Sequence, residues 1–246
     1  MNNTERVCTL ESLAFDTEVF GIKCGRVEIK NNALSRNELK CVLEEAKGQQ
    51  IKHLVAKVPS EWVEIFNLLE DHKFRLKMCS LSMENELSHS VDKVKDVVMY
   101  DGTEDCRLIK ITEKAFSSGT RFHFEHKFSS AQISKLHKRW ITNLINDQDV
   151  QIYVHLDSTV ITGYITVEIE DGIKKKGHIG LFAVDKALRG RGIGTKLLSA
   201  LNSKLFGKVD TLGVITESIN YAALKIYING GFSINKSWNI FHLSFK

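Results

Sequence analysis

Arg189-Gly190-Arg191-Gly192-Ile193-Gly194-Thr195 sets two cations and three glycines between an apolar run, Leu181 to Val184, and a helical pattern beginning near Ile193. Glycine lets backbone come close to a ligand, and the first amides of a helix lack intrahelical partners and carry partial positive charge. Arginine adds paired donors suited to phosphate oxygens. These residue types in this order read as a pyrophosphate site at a helix N-terminus. The spacing excludes two alternatives. A dinucleotide fingerprint needs G-x-G-x-x-G, and a Walker A loop needs Gly-Lys-Ser/Thr, whereas here Lys196 follows Thr195.

Arg189-x-x-Gly192-x-Gly194, after Phe182-Ala183-Val184 and before Thr195-Lys196-Leu197-Leu198, resembles the acyl-CoA loop of the GCN5-related N-acetyltransferases (GNATs), R/Q-x-x-G-x-G/A. A later stretch resembles that family's N-x-x-A-x-x-x-Y-x-x-x-G-F motif at Asn220, Ala223, Tyr227, Gly231 and Phe232. The resemblance implies a GNAT fold and acyl-CoA, acetyl or another short acyl, as co-substrate. It implies that Phe182, Ala183 and Val184 splay from their neighbour at a bulge and pair through backbone with the pantetheine arm. It also implies that Asn220 bonds that arm and that Tyr227 gives a proton to the departing thiolate. By residue type alone Tyr227 could equally be a packed core tyrosine. Gly231 reads as a left-handed helix cap.

Direct attack of an amine on the thioester needs no metal and no covalent enzyme intermediate, but the amine proton must be taken up. Glu168, His178, His123 and His126 are the candidate acceptors, and each is also readable as a solvated side chain. Cys8, Cys24, Cys41, Cys79 and Cys106 form no C-x-x-C pair and are odd in number, which suggests reduced thiols rather than a disulfide frame or zinc site.

The acceptor has to be read elsewhere. Thr120-Arg121-Phe122-His123-Phe124, then Phe128 and Lys138-Arg139-Trp140, mixes cations with aromatics, a combination suited to a stacked base and paired phosphates. A surface loop packing its aromatics onto the domain would give the same pattern. Thr120-Arg121-Phe122 with Trp140-Ile141-x-Asn143 resembles the S-R-F…W-I-x-N segment of the bacterial acyltransferases of nucleotide-linked amino-dideoxy sugars, the dTDP-fucosamine acetyltransferase-like group. Leu13-x-x-Asp16-x-x-x-Phe20-Gly21 and Ala222-Ala223-Leu224-Lys225-x-Tyr227-Ile228 resemble two further segments of that group. This resemblance implies a dTDP-linked amino sugar as acceptor, bound through Arg121, Phe122, His123 and Trp140, in lipopolysaccharide O-antigen biosynthesis; the alternative is another amine, such as a polyamine, an antibiotic or a protein N-terminus. It also implies a homodimer paired through the final strand.

The elements that position these residues follow from periodicity. The chain has 246 residues, 43% hydrophobic and 26% charged, with a net charge of +4. That balance is too mild to argue for nucleic acid, and no long apolar span or signal peptide argues for a membrane; a cytoplasmic enzyme of small molecules is expected. Ser35 and Glu38 open a helix with Leu39, Val42, Leu43 and Ala46 at helical spacing. Strands are expected at 53–58 and 75–87 around a helix from Pro59 to His72. A junction is placed in 88–106. Beyond it the pattern predicts a strand at Arg107–Ile111, a polar-aromatic stretch at 112–128 and a helix at 131–146. A hairpin turning at Asp157-Ser158, a strand from His178 to Val184 and a helix from Gly192 to Phe206 come next. Thr211–Thr216, Asn220–Asn229 and Ser237–Phe245 are read as strand, helix and strand.

An offset of 158 residues lays the first half on the second, with Leu39, Leu54, Phe66 and Phe74 falling on Leu197, Leu212, Leu224 and Phe232. Trp62 and Leu69 then replace Asn220 and Tyr227, and no R-x-x-G-x-G stands in the first half. The expected fold is mixed α/β: a degenerate GNAT-like domain over 1–95, structural or substrate-shaping, and a catalytic GNAT domain over 96–246.

Overall fold

The computed structural model describes residues 6–87 and 94–245; within the expected junction, 88–93 lie outside them. The chain forms two compact units that are discontinuous in sequence. One takes the residues up to Ser80, Thr120–Gln132 and the segment from Ser237; the other takes Leu81–Gly119 and Ile133–Lys236. A cut at residue 95 follows chain order, whereas these units exchange segments.

In the first unit, β1 (Cys8–Ser12), β2 (Cys24–Ile29), β3 (His53–Pro59), β10 (Ser233–Ser244) and the first half of β4 (Arg75–Glu86) lie in the order β1-β2-β3-β10-β4. β2 runs parallel to β3, and β10 antiparallel to it from Trp238 opposite Pro59 to Ser244 opposite His53. Helix α1 (Ala14–Phe20) ends at Gly21, where φ is +71°. Helix α2 (Arg36–Gly48) starts at the Ser35–Glu38 capping box and buries Leu39, Val42, Leu43 and Ala46. With α3 (Val63–Asp71) it covers the face of Leu54, Ala56, Val58 and Phe241. The opposite face of β3 carries His53, Val55 and Lys57, since side chains alternate along a strand. His53 lies edge-on to Phe128, which stacks on Phe20 at 3.8 Å.

In the second unit the strand order is β4-β9-β8-β7-β6-β5, with β5 (Val97–Met99), β6 (Val150–Asp157), β7 (Val160–Glu170), β8 (Lys176–Val184) and β9 (Thr211–Glu217). β8 pairs antiparallel with β7 and parallel with β9, so the sheet is mixed as expected. Helices α6 (Ile193–Leu205) and α7 (Tyr221–Asn229) share one cluster with Ile165, Val167 and Ile179. On the other face, α4 (Asp105–Ala115) and α5 (Ser130–Asn146) share a cluster with Tyr164, Leu181 and Ala183.

The repeat is visible in the element bounds. β3, α3 and β4 recur at the 158-residue offset as β9, α7 and β10, residue for residue at both ends. Both short helices also end alike, with Lys73 and Gly231 at positive φ (+71° and +89°). Phe74 and Phe232 amides then return to the carbonyls of Leu69 and Tyr227.

Three expectations need correction. Arg107–Ile111 is not a strand but the middle of α4, because Leu108, Ile111 and Thr112 recur at helical spacing and are the residues buried. The polar-aromatic stretch therefore divides between the end of α4 and a short 3₁₀ turn at Arg121–Phe124. The final strand begins at Ser233 and is flanked by β3 and β4, so it offers no open edge for pairing with a second copy.

Candidate active site

Pairing between β8 and β9 runs only from Lys176–Thr211 to Ile179–Val214, although β8 continues to Val184 and β9 to Glu217. The edges of Phe182, Ala183 and Val184 that face β9 therefore lie beyond the paired part of the two strands. The end of the pairing coincides with a bulge. Ile165 and Val167 on β7 face Phe182 and Ile179 on β8, so Gly180 and Leu181 together stand opposite Thr166.

Beyond Val184 the chain turns through Asp185, whose carboxylate accepts the Ala187 amide at 3.1 Å and the Arg107 guanidinium at 2.8 Å. Arg107 also donates to the Ile161 carbonyl at 2.8 Å, and the Asp185 amide donates to Thr162 O at 2.8 Å. The hydrogen bond from the Ala187 amide, followed by Arg107, holds the Asp185 carboxyl below its usual range. This brace fixes where the loop starts. Sequence reading missed Arg107, which it placed in a strand.

Gly190 and Gly192 take φ of +79° and +76°, conformations that side chains resist. Gly192 is the N-cap of α6 and no side chain caps the helix, so the amides of Ile193, Gly194 and Thr195 are left without intrahelical partners. Gly194 has a different role: a Cβ there would meet Ile226 Cδ1 of α7 at 2.8 Å, so the glycine permits close helix packing. Arg191 is exposed beside these amides. Arg189 is exposed too and reaches back to the carbonyls of Val184 and Ala115, each at 3.4 Å.

Asn220 N-caps α7 through the Ala223 amide at 3.3 Å. Tyr227 lies on α7 with 3% exposure, its ring 6.0 Å from Phe182 and 5.4 Å from Phe232. Burial pushes its phenol well above the usual range, so it keeps its proton at neutral pH. Glu168 and His178 stand directly opposite each other in the β7–β8 register and are exposed. His178 Nε2 is 3.2 Å from a Glu170 carboxylate oxygen. By strand alternation both lie on the sheet face opposite α6 and α7.

The residues expected at the acceptor fall in different units. Arg121, Phe122 and His123 form the 3₁₀ turn of the first unit. Phe122 is 3% exposed among Phe20 and Phe128, and the Arg121 guanidinium lies 4.3 Å over its ring. His123 Nδ1 engages Thr120 Oγ1 at 2.8 Å, and His126 is exposed. Trp140 belongs to the second unit, 40% exposed and stacked at 6.5 Å on His137. Among the described residues, no group of three or more His, Cys, Asp or Glu could hold a metal ion, and no helix is long and apolar enough to cross a membrane.

The Acetyltransferase (GNAT) family matches residues 112–232. The chain is 40% identical over 63 residues to N-alpha-acetyltransferase 30 of Xenopus laevis, a span covering 25% of this chain and 23% of that protein. Its fold is similar to that of a GCN5-related N-acetyltransferase from Sphaerobacter thermophilus, with a TM-score of 0.66 at 13% identity over 97% of this chain and 76% of that one. A tandem GNAT protein from the clavulanic acid biosynthesis pathway gives 0.60 at 16% identity, over 90% and 75% of the two chains. The diverging strands and the glycine loop at the start of α6 both lie within residues 112–232, the part of the chain that matches the Acetyltransferase (GNAT) family.

Proposed function

We propose that the protein is an acyl-CoA-dependent N-acyltransferase whose acceptor is the amino group of a nucleotide-linked amino-dideoxy sugar. The observation that carries the donor half is the junction of diverging β8 and β9 with the uncapped amides of Ile193, Gly194 and Thr195. The pyrophosphate of CoA lies on those amides with Arg189 and Arg191. The pantetheine arm runs along Phe182, Ala183 and Val184 with Asn220 beside it, and a backbone amide there polarises the thioester carbonyl. A neutral amine attacks that carbonyl and CoA leaves as a thiolate. Tyr227, kept neutral by burial, protonates the leaving sulfur. Glu168 or His178, at the surface of β7 and β8, takes the amine proton through water.

The acceptor assignment rests on the likeness of Thr120-Arg121-Phe122 and Trp140-Ile141-x-Asn143 to the amino-sugar acyltransferases. A protein N-terminus is the second reading, favoured by the 63-residue similarity to an N-alpha-acetyltransferase. Thiol release from acetyl-CoA separates the two when measured over dTDP-linked amino sugars, polyamines and short peptides. Turnover of a nucleotide sugar is the expected result; turnover of peptides or polyamines alone would overturn it.

A further inference from the structure

We propose that Thr166 is a positioning residue of the donor site, its hydroxyl holding open the bulge on which the site depends; this rests on the donor reading given above. Thr166 is 1% exposed. Its Oγ1 accepts the Leu181 amide at 2.8 Å, at the point where two residues of β8 oppose one of β7. A bulge leaves an amide out of the ladder, and an unpaired buried amide is costly. Here the threonine hydroxyl of β7 supplies an acceptor for that amide. Gly180 completes the arrangement, because a Cβ at that position would stand 2.8 Å from the same Oγ1.

The bulge decides which way the following residues face. Below it, Ile179 packs in the cluster of α6 and α7; above it, Phe182 and Val184 pack there, while Leu181 and Ala183 turn to the cluster on the other face. An unbulged strand would keep the odd-numbered residues on the α6 side throughout. Phe182 would then leave Tyr227, whose ring it now faces at 6.0 Å, and the backbone of residues 182–184 would turn its edges differently. One side-chain hydrogen bond therefore sets both the strand edge offered to the donor and the wall beside the proton donor.

Thr166→Val keeps the shape and removes the acceptor, whereas Thr166→Ser keeps it. Calorimetric affinity for acetyl-CoA reads the effect with no need of an acceptor. The expected result is a Kd raised about tenfold in Thr166→Val and within about twofold of the parent in Thr166→Ser. Gly180→Ala, which pushes the hydroxyl away by its added methyl, is expected to act like Thr166→Val and is read in its place if that variant does not fold. A lowered melting temperature with unchanged affinity, or equal loss in Thr166→Val and Thr166→Ser, would overturn the proposal. A parent protein that binds no acetyl-CoA would instead sink the donor reading on which it stands.

Discussion

Tyr227 is positioned by ring packing and by the turn that follows it. The turn that ends α7 brings Phe232 back so that its amide bonds the Tyr227 carbonyl at 3.0 Å and its ring lies 5.4 Å from the phenol. Burial alone raises its pKa. Tyr227→Phe should therefore lower kcat by about a hundredfold with little change in KM for acyl-CoA. Steady-state thiol release checks this, and full kcat in the variant would remove Tyr227 from the reaction. Because the phenol titrates above its usual range, it should add no alkaline limb to kcat below about pH 10. The glycine turn at the start of α6 was legible in the sequence because glycine is the residue that takes the positive φ found at Gly190 and Gly192. Thr166 was not, since a threonine inside a strand gives no sign that its hydroxyl meets an amide across a bulge.

Two elements make separate predictions. The start of the donor loop hangs on Arg107 of α4, half-buried against Asp185 with side chains 26% and 11% exposed. Arg107→Met leaves Asp185 without its cation and should raise KM for acyl-CoA about fivefold while lowering stability by about 2 kcal/mol. Thermal unfolding and initial rates measure both, and an unchanged KM would mean the brace serves stability only. The contact was hidden in the sequence because Arg107–Ile111 is a short, isoleucine-rich apolar run that, taken alone, suits a strand as well as a helix; the burial of Leu108, Ile111 and Thr112 reveals the helix.

In the first unit, the turn carrying Arg121 is pinned by Glu125, which lies 3.3 Å from Lys77 and 3.7 Å from buried His242. The adjoining His242 and then Lys77 hold Glu125 down to about 2. Burial, helped by His242, pushes His53 down to about 3, and burial also lowers His242 against the pull of Glu125. The histidines are neutral when folded, so between about pH 6.5 and 3 the unfolded chain binds more protons and stability falls with pH. Below about pH 4.5 the loss of Glu125's charge in the unfolded chain adds to the fall. Urea unfolding followed across this range should show the decline, and His53→Gln should flatten its upper part. A stability independent of pH from 7 to 4 would contradict the assignment.

Across the whole molecule, one β-α-β-α-β plan occurs twice, and the Arg189-x-x-Gly192-x-Gly194 loop, Asn220 and Tyr227 all belong to the second copy. The shared plan was legible because the apolar pattern repeats at 158 residues, and β3, α3 and β4 return as β9, α7 and β10. The exchange of segments between units was not legible, since Thr120–Gln132 and the chain from Ser237 join the first unit through contacts distant in sequence. In the first copy, Leu69 and Lys73 stand where the second has Tyr227 and Gly231, and α2 begins at a serine cap rather than a glycine loop. Calorimetric titration with acetyl-CoA tests this division of labour most directly. The expected result is a single site per chain that Gly194→Leu abolishes, because a side chain there runs into Ile226. Two sites per chain, or binding unchanged in Gly194→Leu, would contradict it.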